Sequence, residues 1–350
     1  MMEDEFYKEM NLFNFEKEEF KFSKKLRIIE MFSGIGAQAK ALEILGIPFE
    51  HHKTVEWAAN SIIGYNAIHN GQTKNENNLD SDFLAQKLYE LGVSLDYNCP
   101  ASLKQLKRIK NDKLNLIYES IQKTNNLVNI MNVHGEDLDI NETDKYEYLL
   151  TYSFPCQDIS NAGKKQGLAI SQKEGGTRSG LLWEVERILN ELKSLSLSRK
   201  ENKMPSVLLM ENVPDLVGVN FVDQFNRWRE KLEKLGYTNY VEILNAKDYG
   251  IPQNRRRCFM VSVYGDYAYE FPIPFKRKHD LKDLLDIEFD EKYILSEKRI
   301  KTFLAENTGK YKRKEAFLHC LDMARGGVIS NSNNTKWNET NRELCRSGCP

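Results

Sequence analysis

The chain has few of the residues that staple a fold or anchor it. Its six cysteines (Cys99, Cys156, Cys258, Cys320, Cys345 and Cys349) include no Cys-x-x-Cys pair. Neither a disulfide framework nor a thiolate metal site is indicated, and a reducing, cytoplasmic setting is expected. Long apolar runs are missing too. Nothing approaches the roughly 20 apolar residues that cross a bilayer. The opening Met1-Met2-Glu3-Asp4-Glu5 lacks the apolar stretch of a secretory signal. There is no excess of charge: 50 basic and 51 acidic residues leave a net charge of −1. No global field advertises a polyanionic partner, so any nucleic-acid contact must come from a local basic surface. What remains is a 350-residue globular composition, 41% hydrophobic and 29% charged, long enough for a large domain and a smaller one.

Local pattern supplies an α/β reading. Leu26-Arg27-Ile28-Ile29-Glu30-Met31-Phe32 reads as a strand, Gly34-Ile35-Gly36 as a turn, and Ala37 to Leu45 as a helix stopped by Gly46. This places G-x-G-x-x-A between strand and helix, where a backbone must turn tightly and let a nucleotide approach. Glu56 follows about 20 residues on, ending a short strand around Lys53-Thr54-Val55, and can accept from ribose hydroxyls. A tight turn with no ligand is the plain alternative. From about 70 to 130 the sequence turns polar and reads as an insertion with modest helices, such as Phe83 to Leu91. Val133 to Leu138 reads as another strand end, with Asp137 placed to accept from an exocyclic amine or simply to cap a helix.

The most informative stretch is Tyr146 to Gln157. Its aromatic and β-branched first half reads as a buried strand, which Phe154-Pro155 stops because proline has no N–H for the ladder. Cys156 then falls on a loop at the carboxyl end of the strand, where open α/β sheets collect ligands and catalytic groups. A lone cysteine there is more often a small hydrophobe at a strand end. Ser160 to Gly180 is rich in glycine and lysine, which suits a loop that closes over a polyanion or a solvated surface segment. Ser206 to Met210, behind Pro205, reads as a buried parallel strand that delivers Glu211-Asn212-Val213 to the same edge. Phe225 to Leu235 is an amphipathic helix before Gly236, and Tyr240 to Leu244 is a strand. Arg255-Arg256-Arg257 then enter a further strand; alternation puts Arg255 and Arg257 on one face, as anion-binding forks or as a solvated edge.

Taken in order, the glycine turn, the ribose acid, Phe-Pro-Cys-Gln, Glu-Asn-Val and Gln-x-Arg-x-Arg resemble the DNA (cytosine-5)-methyltransferase family from about Leu26 to Val263. The resemblance implies a Rossmann-like sheet and S-adenosyl-L-methionine as methyl donor. It assigns Phe32, Gly34, Gly36, Glu56, Trp57, Asp137, Leu138 and Leu181 to that donor, and Cys156, Glu211, Arg255 and Arg257 to chemistry on cytosine in double-stranded DNA. Departures are mild: Glu30 stands for the usual aspartate and Ala37 for the third glycine. The expected division is an N-terminal arm at 1–24, a catalytic domain at 25–265 and a partial target-recognition region at 266–350.

The family's closing Arg-x-x-Thr-x-x-Glu-x-x-Arg-Leu and Gly-Asn segments are not found before Pro350. The expectation is a truncated product, or half of a split enzyme with a complementing C-terminal chain. Three other readings stand beside it. A tRNA cytosine-5 methyltransferase uses the same set but carries a second proline where this chain has Phe154. A non-catalytic DNA-binding remnant has no reason to keep Cys156, Glu211 and Arg257 together. A nicotinamide dehydrogenase accounts for the glycine turn alone.

Overall fold

One sheet of six strands, in the order β2-β1-β3-β4-β6-β5, organises the protein. In this computed structural model the described residues are 17–71, 79–156 and 178–275, with a few isolated positions beyond. β1 (Lys25–Met31) pairs in parallel with both β2 (Phe49–Val55) and β3 (Tyr146–Tyr152), and β3 pairs in parallel with β4 (Val207–Asn212). β6 (Arg256–Tyr264) runs antiparallel to β4, and β5 (Tyr237–Asn245) forms the edge. The α/β class expected from the sequence is present.

Strand alternation separates two apolar faces. Ile29, Met31, Leu150, Tyr152, Leu208 and Met210 lie in one cluster. Leu182, Val185 and Ile188 of one long helix and Phe225, Trp228 and Leu232 of another cover that cluster. Buried Trp228 also donates its indole N–H to the Tyr152 hydroxyl at 3.1 Å. Leu26, Ile28, Leu149, Val207 and Val263 form the opposite cluster, against Ala39. The helices, in chain order, are α1 (Ala37–Ile44), α2 (Ala59–Asn70), α3 (Ser81–Leu91), α4 (Leu103–Leu106), α5 (Asn111–Lys123), α6 (Leu182–Arg199) and α7 (Val222–Leu235). The two that cover the first face are α6 and α7.

The polar stretch around 70–130 builds a helical layer with its own core, in which Ile62, Leu84, Leu88, Leu106, Leu114 and Ile117 are buried. Local capping explains its boundaries. Asp80 accepts from the Phe83 N–H at 2.9 Å, and Ser102 with Gln105 forms a capping box. The layer returns to the sheet where Leu127 N–H donates to the Thr54 carbonyl at 2.9 Å.

One expected element is different. Val133 to Leu138 is not a strand end: short 3-10 turns occupy Ile130–Asn132 and Gly135–Leu138. Gly135 explains this, because it packs so closely on α6 that a Cβ would sit 2.9 Å from the Leu192 nitrogen. Its N–H donates to Glu191 at 2.7 Å, so the segment is committed to a helix and not to the ladder.

The chain divides into two units, Met1–Leu244 with Arg256–Pro272, and Asn245–Arg255 with Ile273–Pro350. In the second, the Asn245 side chain accepts from the Arg255 N–H at 3.0 Å, and Phe275 N–H donates to the Asp248 carbonyl at 2.9 Å. Most of the region expected to read DNA lies outside the described residues, as does 1–16 of the N-terminal arm.

Candidate active site

β2 and β3 leave β1 on opposite sides, so the carboxyl end of β1 is a topological switch point and opens a crevice. The turn after β1 is conformationally demanding: Phe32, Gly34 and Gly36 all have positive φ, at 55°, 55° and 80°. Gly36 is also sterically fixed, since a Cβ there would lie 2.2 Å from His69 Nε2. Glu56 closes the crevice from the end of β2. One carboxylate oxygen accepts from the Gly34 N–H at 3.0 Å and the other from the Ala58 N–H at 2.8 Å. Burial pushes its pKa above the usual carboxylate range, with the backbone N–H donors opposing. Asn126 holds the Glu56 backbone on both sides, accepting from its N–H at 3.0 Å and donating to its carbonyl at 2.9 Å.

The cleft so formed is lined by Phe32, Glu56, Trp57, Tyr97, the segment Val128 to Met131, Ser153, Pro155 and Leu181. Phe32, Glu56, Trp57 and Leu181 are thus brought together, with Gly34 holding the acid and Gly36 closing the turn. Asp137 and Leu138 are not part of the lining. Asp137 is exposed and accepts from the His134 N–H at 2.7 Å, capping its own turn, while Leu138 is wholly buried in the sheet's main core. Tyr97 and Val128 to Met131 are among the lining residues that sequence reasoning missed. The only hint was the polar stretch itself, since nothing local links Asn126 to Thr54, 72 positions earlier in chain order, as the parallel bridge between them does. Val128, a β-branched residue at φ 62°, marks this wall as strained.

The donor set fits an adenosyl group. A carboxylate has about four lone-pair sites; the backbone N–H groups of Gly34, Ala58 and Trp57 draw on those of Glu56, which leaves capacity for a ribose hydroxyl. Phe32, Trp57, Tyr97, Ile130 and Leu181 supply the flat and apolar surface that a purine needs.

Beyond Pro155 the same edge carries the thiol. Cys156 is partly exposed and its loop is held from three sides. Asn212 Nδ2 donates to the Phe154 carbonyl at 3.1 Å, Ser179 Oγ to the Pro155 carbonyl at 2.7 Å, and Gln38 Nε2 to Ser153 Oγ at 3.1 Å. The antiparallel β4–β6 ladder pairs Asn212 with Cys258 and Glu211 with Phe259, bringing the start of β6 to the end of β4. Glu211 and Arg257 meet there as an ion pair of 2.8 Å, each about one-quarter exposed. Cys258, fully buried beneath them, has its thiol pushed up to about 12 by desolvation and by the Glu211 charge. Arg255 immediately precedes β6, which starts at Arg256. The glycine- and lysine-rich loop after Cys156 falls outside the described residues as far as position 177.

The family profile described as C-5 cytosine-specific DNA methylase matches residues 106–346. The orphan methyltransferase M.SssI of Spiroplasma monobiae is 40% identical over 280 residues, covering 78% of this chain and 68% of that protein. The type II methyltransferase M2.ScrFI of Lactococcus lactis subsp. cremoris is 35% identical over 279 residues, covering 79% and 71%. The chain belongs to the C-5 cytosine-specific DNA methylases. It is a DNA (cytosine-5)-methyltransferase by family, and DNA is the family's substrate. Family membership also implies S-adenosylmethionine as the methyl source. Among solved structures, the Dnmt2 methyltransferase of S. pombe aligns at 19% identity with a TM-score of 0.45, covering 80% of this chain and 65% of that one. None of these likenesses points to a complementing C-terminal chain. Among the described residues, no helix of this methylase is long and apolar enough to cross a membrane.

Proposed function

We propose that this chain methylates C5 of a flipped-out cytosine in a specific duplex DNA sequence, through a covalent adduct of Cys156 at C6, in the manner of a restriction-modification methyltransferase. The observation that carries the proposal is the shared sheet edge. The Phe154-Pro155-Cys156 loop is held by Asn212, next in sequence to the Glu211 that pairs with Arg257, and Pro155 lines the Glu56 cleft.

The chemistry accounts for each residue type. Cytosine C5 is too weak a nucleophile to take a methyl group unaided. A thiolate adding at C6 makes C5 enamine-like, and thiol is the side chain best suited to this at neutral pH. Addition moves charge onto N3. With one Glu211 oxygen held by Arg257, the other is offered to N3 to supply a proton, and the remaining guanidinium donors suit the O2 edge. Arg255 would orient the same edge or a phosphate. After transfer a base removes the C5 proton, and the thiolate leaves as the C5–C6 double bond re-forms. Phe32, Trp57, Tyr97 and Leu181 would enclose the adenine of S-adenosylmethionine and Glu56 its ribose, the sulfonium supplying an electrophilic methyl group. The target is unreachable within a duplex, so the base must leave the stack. On this reading 25–265 carries the chemistry and 266–350 contributes to choosing the sequence.

A duplex carrying 5-fluorocytosine should trap the protein covalently through Cys156, and Cys156→Ser should abolish both trapping and transfer while S-adenosylmethionine still binds. Trapping on another cysteine, or methyl incorporation into tRNA and not duplex DNA, would overturn the proposal.

A further inference from the structure

Behind the glycine turn, away from the cleft lining, lies a cluster that the methyl-transfer reading does not use. Glu43 of α1, His51 of β2 and His69 of α2 place three ligand atoms within 4.8 Å of one another. We propose that these residues form a binding site for a divalent transition-metal ion of the zinc type, with three protein ligands and an open position for water.

Hydrogen-bond accounting carries the argument. The Tyr65 hydroxyl has one hydrogen, which it donates to the buried carboxylate of Glu30 at 2.5 Å. Tyr65 must therefore accept from His51 Nδ1–H, 2.9 Å away. That fixes the tautomer and leaves a lone pair on His51 Nε2, which faces Glu43 Oε1 at 3.9 Å. Two lone-pair atoms facing each other repel unless a cation or proton lies between them. On the other side of the same oxygen, His69 Nδ1 stands 2.9 Å away and donates a hydrogen bond that an ion would displace, while His69 Nε2 donates to the Ile35 carbonyl at 3.2 Å. Each imidazole is thus oriented through its far nitrogen by an outer partner, the arrangement that metal-ligating histidines show. Zinc–ligand bonds of about 2.0–2.2 Å at tetrahedral angles put ligand atoms about 3.3–3.6 Å apart. The observed 2.9 Å and 3.9 Å bracket that spacing.

Exposure also fits an open position. The His69 side chain is wholly buried, whereas Glu43 and His51 are each about one-third exposed. Lys40 holds the other Glu43 oxygen at 2.6 Å, so the carboxylate would ligate through Oε1 alone. Burial first, then the neighbouring His69, keeps His51 below its ordinary pKa and favours the neutral ligand form. A bound ion would tie α1, β2 and α2 together and fix the imidazole that holds the Ile35 carbonyl beside Gly36.

The full chain titrated with Co2+ should show ligand-field bands without a thiolate charge-transfer band, and equilibrium dialysis should show one Zn2+ retained per chain. His51→Gln and Glu43→Gln should each weaken Zn2+ binding at least tenfold, and Cys99→Ser should leave it unchanged. Zn2+ should raise the melting temperature of the wild type and not of His51→Gln, because an ion that binds only the folded form stabilises it. His69→Gln is less informative, since its side chain is buried. No bound ion, a thiolate charge-transfer band, or equal binding by His51→Gln would overturn the proposal. None of these readouts depends on methyl transfer.

Discussion

Asn212 offers the sharpest test of how the thiol is positioned. It is 2% exposed, donates to the Phe154 carbonyl at 3.1 Å and accepts from the Val213 N–H at 2.8 Å. Asn212→Ala leaves the Phe154 carbonyl without its donor at a position that is itself 2% exposed. A buried polar group left unsatisfied costs about 1–3 kcal/mol. The loop can relieve that cost by moving, but Cys156 then moves with it, and displacement of a reacting group by 1 Å costs roughly a hundredfold in rate. We expect a loss of about 1–3 kcal/mol in urea unfolding and a tenfold to roughly hundredfold slower covalent trapping of 5-fluorocytosine DNA. S-adenosylmethionine affinity should fall far less than trapping, because Phe32, Glu56 and Trp57 follow β1 and β2, and Pro155 is the cleft residue on the displaced loop. Asn212→Asp should be worse than alanine, since it sets a carboxylate oxygen against the carbonyl. Wild-type trapping by Asn212→Ala, with no loss of stability, would refute the reasoning. It would show that Ser179 and Gln38 hold the loop without help.

Gly36→Ala should abolish S-adenosylmethionine binding and lower the melting temperature, since its Cβ would lie 2.2 Å from His69 Nε2 and 2.6 Å from the Tyr65 ring; binding measured by calorimetry checks this. Iodoacetamide at pH 8 should label Cys99 and Cys156 but spare Cys258 until urea is added. The buried Cys258 thiol titrates near 12 in the folded chain against 9.0 ordinarily, so its contribution to stability is full below pH 9.0 and is lost as pH rises towards 12. Glu211→Gln should slow methyl transfer severely and leave duplex affinity in a gel shift nearly intact, and the amide oxygen can still accept from Arg257. Equal losses of rate and affinity would make Glu211 structural.

Much of this was legible because it is local. The strand, turn and helix around Gly34 and Gly36, the break at Pro155 and the stop at Gly236 depend on residues a few positions apart, where backbone sterics decide. The failures share a different cause. Asn126 secures Glu56 across 70 residues, and Ser179 anchors Pro155 across 24; neither partner has a pattern that names the other. Val133 to Leu138 misled because a strand-like composition lost to Gly135 packing on α6.

The pairing of β1 with β3 has a consequence for how tolerant this enzyme is to change. Met31 and Tyr152 are the last partners of that ladder, and the cleft proposed for the adenosyl group grows from one while the loop of the proposed nucleophile Cys156 grows from the other. Neighbouring strands are spaced about 4.8 Å apart whatever their side chains, so on the proposed function the sheet acts as a ruler set between methyl donor and acceptor. Loops on either side can lengthen, shorten or change their chemistry without resetting that gauge. A slip of one residue in β3 would change it, and would also turn every core side chain of the strand to the wrong face. Variation is therefore safest in the stretches that leave this ladder alone, and an engineer changing the DNA sequence read by this methylase has reason to leave β1 and β3 untouched.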